Sequence, residues 1–341
     1  TMRPQHLDVV SALRLIGPGL DHLVRDGHAV NGLHVTSVNR RRPAARGTGR
    51  GSAGPEPSPD APPPVPSTEE RRLPEAETPQ RTEEERRALV DEVRRLAARG
   101  GAKFSVYLAD PRDGDVPLIA DADERRAASM IKVFILACTM EKVKAGELRL
   151  DDALQLEEAD KVDGAGVIAG YGAGTALSVE ELLRHMIADS DNTATNMMID
   201  RLGMTEINAY MKTHGYGASR LQRKMMDAAA VKEGRENITS AKDLGTFFLR
   251  LYHSECVGEP YDGKMRDTLF AQTDRECFPQ ALPDARIAHK TGELDRLYAD
   301  GGILYGEDGG AVILVILAED IERRGRAIEM MREIARRVMQ K

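Results

Sequence analysis

Tryptophan is absent from this 341-residue chain, and 8 Tyr and 6 Phe bring the aromatics to only 4%. Single-stranded nucleic acid and sugars are commonly gripped by stacking on rings, so this scarcity argues against both as ligands. A basic excess is also missing. The formal net charge is −7, which gives no global field for nucleic acid or an anionic membrane. The one basic cluster, Arg40-Arg41-Arg42 with Arg46 and Arg50, lies in a Gly/Pro-rich stretch and reads as a solvated arm. No run of ~18 apolar residues exists, so no membrane-spanning helix is expected. The first residues lack the charged-then-apolar pattern of a secretion signal, which leaves a cytoplasmic location or export by a signal outside this sequence. H-E-x-x-H does not occur, and Gly258 to Lys264 spell G-x-x-x-x-G-K but run into Met265 where a phosphate loop has Ser or Thr, so no metal, nucleotide or other cofactor is expected. Three cysteines show no C-x-x-C and no metal-ligand spacing. Cys138 reads as a small buried hydrophobe, and Cys256 and Cys277 remain a pair that could join if the chain is exported.

What is present divides into three. Residues 1–53 carry too few apolar residues for a core of their own and read as a tail of unknown role. Residues 54–81 are rich in Pro and Glu and read as a flexible linker. Residues 82–341 read as the folded domain. It opens with the capping box Thr82-x-x-Glu85 and the apolar stripe Leu89, Val93, Leu96. Alternation over 104–108 and an Asp113-Gly114 turn predict two strands. A helical block follows, with a second capping box at Ser178-x-x-Glu181 and a long glycine-rich loop over 157–177 that places Tyr171 at a cleft mouth. Strands at 287–290, 303–305 and 311–317 and a helix over 321–339 close the chain. Strands at both ends with helices between them predict an α+β fold, one antiparallel sheet beside a helical lobe, with the site in the cleft between them.

The stretch from Met130 to Met140 is apolar except for Lys132 and Thr139, so it predicts a helix buried on all sides. Ser129 stands at its expected N-cap, and Lys132 lies one turn further along the same face. Desolvation lowers a lysine's pKa, and a neutral amine beside a hydroxyl is a base beside a nucleophile. Taken alone, the pair has a plainer reading, a capping serine and a lysine that snorkels to water. Two further segments shift the balance. Ser190-Asp191-Asn192 falls between two predicted helices, and Lys290-Thr291-Gly292 at a strand end. Asp191 or Asn192 could simply cap a helix and Lys290 be an ordinary edge-strand charge, but three such motifs in this order point to acyl transfer on a serine.

This set resembles the penicillin-recognising serine hydrolases, most closely the class A β-lactamases, over residues 82–341, with Ser190-Asp-Asn-Thr-Ala-Thr-Asn196 especially similar. The resemblance implies a five-stranded antiparallel sheet flanked by the N- and C-terminal helices, plus an all-helical lobe. It implies Ser129 as nucleophile, Lys132 as base and Ser190 as proton relay. Asn192, Lys290, Thr291 and Gly292 would bind substrate, with the Glu293 backbone N–H as second oxyanion donor. The implied partner is a small molecule, a β-lactam or a D-amino-acid peptide, taken up by a monomer outside the cell or in its envelope. One departure stands out. Aligned on Arg223, the family's water-activating Glu falls at Met225 and its Asn at Ala229. Asp227 is the nearest substitute, and Arg223 is expected to pair with Glu236. Deacylation is therefore expected to be slow. The alternatives left open are a peptidase or esterase acting on cell-wall peptides and a penicillin-binding sensor without turnover.

Overall fold

A computed structural model describes residues 80–114 and 116–340; the expected tail and nearly all of the linker lie outside them. Helix α1 (Glu83–Ala98) begins at the predicted capping box, which forms in both directions between Thr82 and Glu85. Strands β1 (Lys103–Ala109), β2 (Ile119–Ala120) and β3 (Arg125–Arg126) follow, then α2 (Lys132–Lys144). The glycine-rich loop is closed at its ends by a short ribbon, β4 (Ala153–Gln155) with β5 (Ala176–Ser178). Helices α3 (Val179–Ala188), α4 (Asn192–Leu202) and α5 (Met204–Thr213) come next, then α6 (Ala228–Lys232), β6 (Ile238–Thr239), α7 (Ala241–Tyr252), α8 (Tyr261–Phe270) and α9 (Phe278–Ala281). Strands β7 (Arg286–Leu294), β8 (Leu297–Tyr305) and β9 (Ala311–Glu319) and helix α10 (Arg324–Met339) complete the domain.

The main sheet has five strands in the order β2-β1-β9-β8-β7, and all of its pairs are antiparallel. Its period-2 alternation splits the core in two. Val106, Leu108, Leu314 and Ile316 face α1 and α10, where Leu89 and Val93 meet Ile328, Met331 and Ile334. Tyr107, Ala109, Ile313 and Val315 face the helical lobe. Strand β9 is covered on both faces, which is why its sequence is a continuous apolar run. Helix α7 packs so closely on β1 that a Cβ at Gly245 would strike the Tyr107 ring. From Lys132 to Met140 every residue of α2 is buried, as its composition predicts.

The structure corrects several expectations. Ser129 caps nothing: it lies inside a 3-10 turn, Ala128–Ile131, from which α2 continues, and neither start carries a side-chain cap. The strand expected at 303–305 begins at Leu297, because Gly301 and Gly302 mark close packing here and not a break. A Cβ at Gly301 would come within 3.0–3.1 Å of Val315 and Met130, and one at Gly302 would strike Ala288 O and His289. Helix α10 starts at Arg324, three residues later than the apolar stripe suggests. Cys256 and Cys277 are free and buried, in the cores on opposite faces of the sheet, so they form no disulfide.

Candidate active site

The edge strand β7 and the turn before α2 meet backbone to backbone. Gly292 permits this approach, since a Cβ there would lie 3.1 Å from Ala128 Cβ and 3.2 Å from Ser129 N. Ser129 is thus held beside the strand edge that carries Lys290, Thr291 and Glu293. The residue before it, Ala128, has φ 45°, a left-handed conformation that L-residues seldom adopt outside functional turns.

Three remote segments converge on one hydroxyl. Lys132 Nζ donates to Ser190 O (2.6 Å), Asn192 Oδ1 (3.1 Å) and Ser190 Oγ (3.2 Å). Lys290 Nζ donates to the same Ser190 Oγ (3.0 Å) and to Thr291 O (2.7 Å). Both lysines have no exposed surface. Burial, reinforced by the neighbouring Lys290 charge and opposed by Asp191, holds Lys132 well below the ordinary lysine range. Burial also pushes Lys290 down to about 7, against the opposing charges of Asp274 and Asp300. Ser190 has φ 54°, and this turn lets its carbonyl and hydroxyl both face Lys132. The structure thus joins Lys132, Ser190, Asn192 and Lys290 directly. Ser129 is brought to them along the backbone; among the described residues its hydroxyl bonds to neither lysine.

The neighbouring residues have structural duties. Asp191 caps α4 through Ala194 N (2.8 Å) and also accepts from Val167 N (2.6 Å) and Ile168 N (2.8 Å), clamping the glycine-rich loop. Its carboxylate leaves no room for a Cβ at Gly166. Asn192 donates to Asp163 O (3.3 Å) in that loop. Tyr171, about one-third exposed, packs edge-on against His185 with ring centroids 6.4 Å apart. Arg223 pairs with Glu236 at 2.6 Å. Met225 is buried, and its backbone is held from both sides by Asn196, which accepts from Met225 N (2.8 Å) and donates to Met225 O (3.1 Å). Asp227 caps α6 by accepting from Ala230 N (2.9 Å), so it is committed to a helix end.

Sequence reasoning missed Met226. It is half-exposed with φ 63°, and its sulfur flanks Gly164 together with Asn192 Nδ2. A side chain so close to Asn192 is visible only once the two loops are brought together.

A sequence model of the β-lactamase enzyme family matches residues 88–341. The chain belongs to that family. The β-lactamase FAR-1 of Nocardia farcinica is 26% identical over 245 residues, covering 68% of this chain and 75% of that protein. The crystal structure of the Sphaerobacter thermophilus β-lactamase superposes with a TM-score of 0.68 at 26% identity, over 74% of this chain and 95% of that one. PBP-A is equally similar, TM-score 0.68 and 26% identity over 76% and 97%, and a mutant of it is described as an acyl-enzyme complex with penicillin G. This β-lactamase-family chain is accordingly a hydrolase of the β-lactamase type, with the family's α+β fold.

Proposed function

We propose that Ser129 is the nucleophile of a serine β-lactamase that acylates readily and deacylates slowly. The observation that carries this reading is the Ser190 hydroxyl lying within hydrogen-bond distance of two buried lysines, 3.2 Å from Lys132 Nζ and 3.0 Å from Lys290 Nζ. A neutral Lys132 has two N–H groups and one lone pair. Ser190 O and Asn192 Oδ1 can use only the N–H groups, since both are acceptors. The lone pair is then left for hydroxyl protons, from Ser129 as it attacks the lactam carbonyl and from Ser190 as it relays. The proton removed from Ser129 returns through Ser190 Oγ to the lactam nitrogen as the C–N bond breaks. The N–H groups of Ser129 and Glu293 serve the oxyanion, a role supported by the close approach of Gly292 to Ser129. Lys290 keeps one N–H beyond its bonds to Ser190 and Thr291 O, and with Thr291 it takes the substrate carboxylate. Asn192 orients the acyl amide.

Slow deacylation is supported by Met225 and Asp227. A buried thioether accepts no proton from water, and Asp227, the carboxylate nearest along the sequence, caps a helix. Intact-mass measurement after penicillin G treatment tests the reading. One acyl adduct is expected on the wild type and none on Ser129→Ala. No adduct together with no hydrolysis of a chromogenic cephalosporin would sink it. Release of D-alanine from a muropeptide analogue would move the same chemistry to cell-wall peptides.

A further inference from the structure

Of the methionines among the described residues, Met226 alone is exposed, with 52% of its surface open to solvent. Met204, Met330 and Met339 are half-buried, and the rest are buried. The loop sends Met225 into the lobe-side core and, through a left-handed turn at φ 63°, Met226 out of it. The exposed thioether nevertheless reaches the site. A Cβ built on Gly164 would lie 3.2 Å from Met226 Sδ and 2.7 Å from Asn192 Nδ2, so the sulfur and the amide flank one point above the bare backbone of Gly164. That amide belongs to the lysine network. Asn192 Oδ1 accepts from Lys132 Nζ (3.1 Å), and Nδ2 donates to Asp163 O at a long 3.3 Å. An amide nitrogen carries two N–H groups, and Asp163 O is its one acceptor among the described residues. The other N–H is the one left for a ligand.

A thioether is a weak acceptor and leaves that N–H free. A sulfoxide in the same place is polar and presents an oxygen to it. Hydrogen peroxide makes the change in one two-electron step. The sulfur lone pair attacks a peroxide oxygen, and the S–O bond forms as the O–O bond breaks. The displaced hydroxide takes the proton left on the transferred oxygen and departs as water. Sulfur is oxidised and peroxide is reduced. The competing sulfurs are shielded. The three cysteines are buried, and burial raises each thiol above its ordinary range, so little thiolate is present to consume the oxidant.

We propose that Met226 is an oxidation site: hydrogen peroxide converts it to the sulfoxide, whose oxygen takes the free N–H of Asn192 and slows acylation of Ser129. The acylation half of this assignment rests on the function proposed above, and the modification half does not. Protein treated with limiting peroxide is digested and mapped by tandem mass spectrometry, which separates Met226 from its neighbour Met225. Met2 lies outside the described residues and is read on its own peptide. Met226 is expected to gain its oxygen ahead of every other methionine in 130–339. In 15N-labelled protein the Asn192 side-chain amide resonances are assigned by their loss in Asn192→Asp. They are expected to move when the wild type is oxidised and to stay in place in Met226→Leu, which keeps an apolar side chain and has no sulfur. Penicillin G acylation of the oxidised wild type, followed by intact mass, is expected to slow about tenfold, the worth of one competing hydrogen bond. The rate should recover after treatment with methionine sulfoxide reductases of both epimer specificities. Met226→Leu should acylate at the same rate before and after peroxide. Oxidation of Met226 no faster than that of the buried methionines overturns the proposal. A sulfoxide that leaves the Asn192 amide unmoved, or leaves the rate of an acylating enzyme unchanged, overturns it as well. A sulfoxide that moves the amide in a protein that no β-lactam acylates upholds the modification site and removes the function proposed above.

Discussion

Installing a carboxylate at position 225 tests the view that this enzyme stalls after acylation. Asn196 grips the Met225 backbone from both sides, so Met225→Glu changes the side chain and leaves the path of the loop alone. The new carboxyl would enter a site only 7% exposed, packed in the lobe-side core. Desolvation there raises its pKa toward neutrality, where a general base works best. A positioned general base contributes roughly 10²–10⁴-fold. Ala229 offers no amide to hold the water, so the low end is expected, about a hundredfold, or ~2.7 kcal/mol off the deacylation barrier. The buried carboxyl costs about 1–3 kcal/mol of stability. The assay is the decay of the penicillin G adduct by intact mass after excess drug is removed, alongside turnover of a chromogenic cephalosporin. Met225→Gln supplies the shape without the base and should leave the adduct lifetime unchanged. Equal lifetimes for the Glu and Gln variants would refute the reasoning, as would a wild-type adduct that clears within a second.

Two further outcomes follow from the same site. Lys290 titrates near 7 in the folded chain against 10.5 ordinarily, so between these values the unfolded state binds more protons and stability must rise with pH. The rise from Lys290 is on the order of 1 kcal/mol per pH unit, and Lys132, also held below the ordinary range, adds to it with the same sign; urea midpoints at pH 7 and 9.5 should show the rise, and Lys290→Met should reduce it without abolishing it and be the more stable protein at pH 7. Arg223→Ala leaves Glu236 without its partner in a pair whose side chains are only 9% and 20% exposed, and should cost about 2–4 kcal/mol in urea unfolding; a loss under 0.5 kcal/mol would mean that the pair does not close the loop.

How much of this was legible in the sequence depends on the range of the interaction. Both capping boxes and the all-buried α2 were readable because they are set within one or two turns. Strand β9 was readable because burial on both faces leaves an unbroken apolar run. The first half of β8 was not, because Ala299-Asp-Gly-Gly302 lacks strand formers, and what requires glycine there is packing from other elements. Ser129 was misread as a cap because a serine before an apolar run is the usual cap signal, and the left-handed turn at Ala128 that places it inside a 3-10 turn leaves no mark in the sequence. Asp227 looked like a spare carboxylate until its bond to Ala230 N was visible. His289 and Asp300, eleven residues apart and held together by the β7–β8 register, offered no local signal.

The convergence on Ser190 carries a testable backbone consequence. Its carbonyl and its hydroxyl both reach Lys132 because the residue sits at φ 54°, where a Cβ is costly and glycine is free. At ordinary positions glycine is the less stable choice, since it loses more chain entropy on folding than alanine does. Here the order should reverse. Ser190→Ala and Ser190→Gly both remove the hydroxyl, strand the same N–H group of Lys290, and should both cripple acylation. Ser190→Ala keeps the left-handed strain and Ser190→Gly relieves it, so the glycine variant should be the more stable by about 1 kcal/mol in urea unfolding. If alanine proves the more stable, residue 190 does not hold its left-handed conformation in solution. The single residue could not then present both oxygens to Lys132, and the two-lysine geometry proposed for acylation would fall with it.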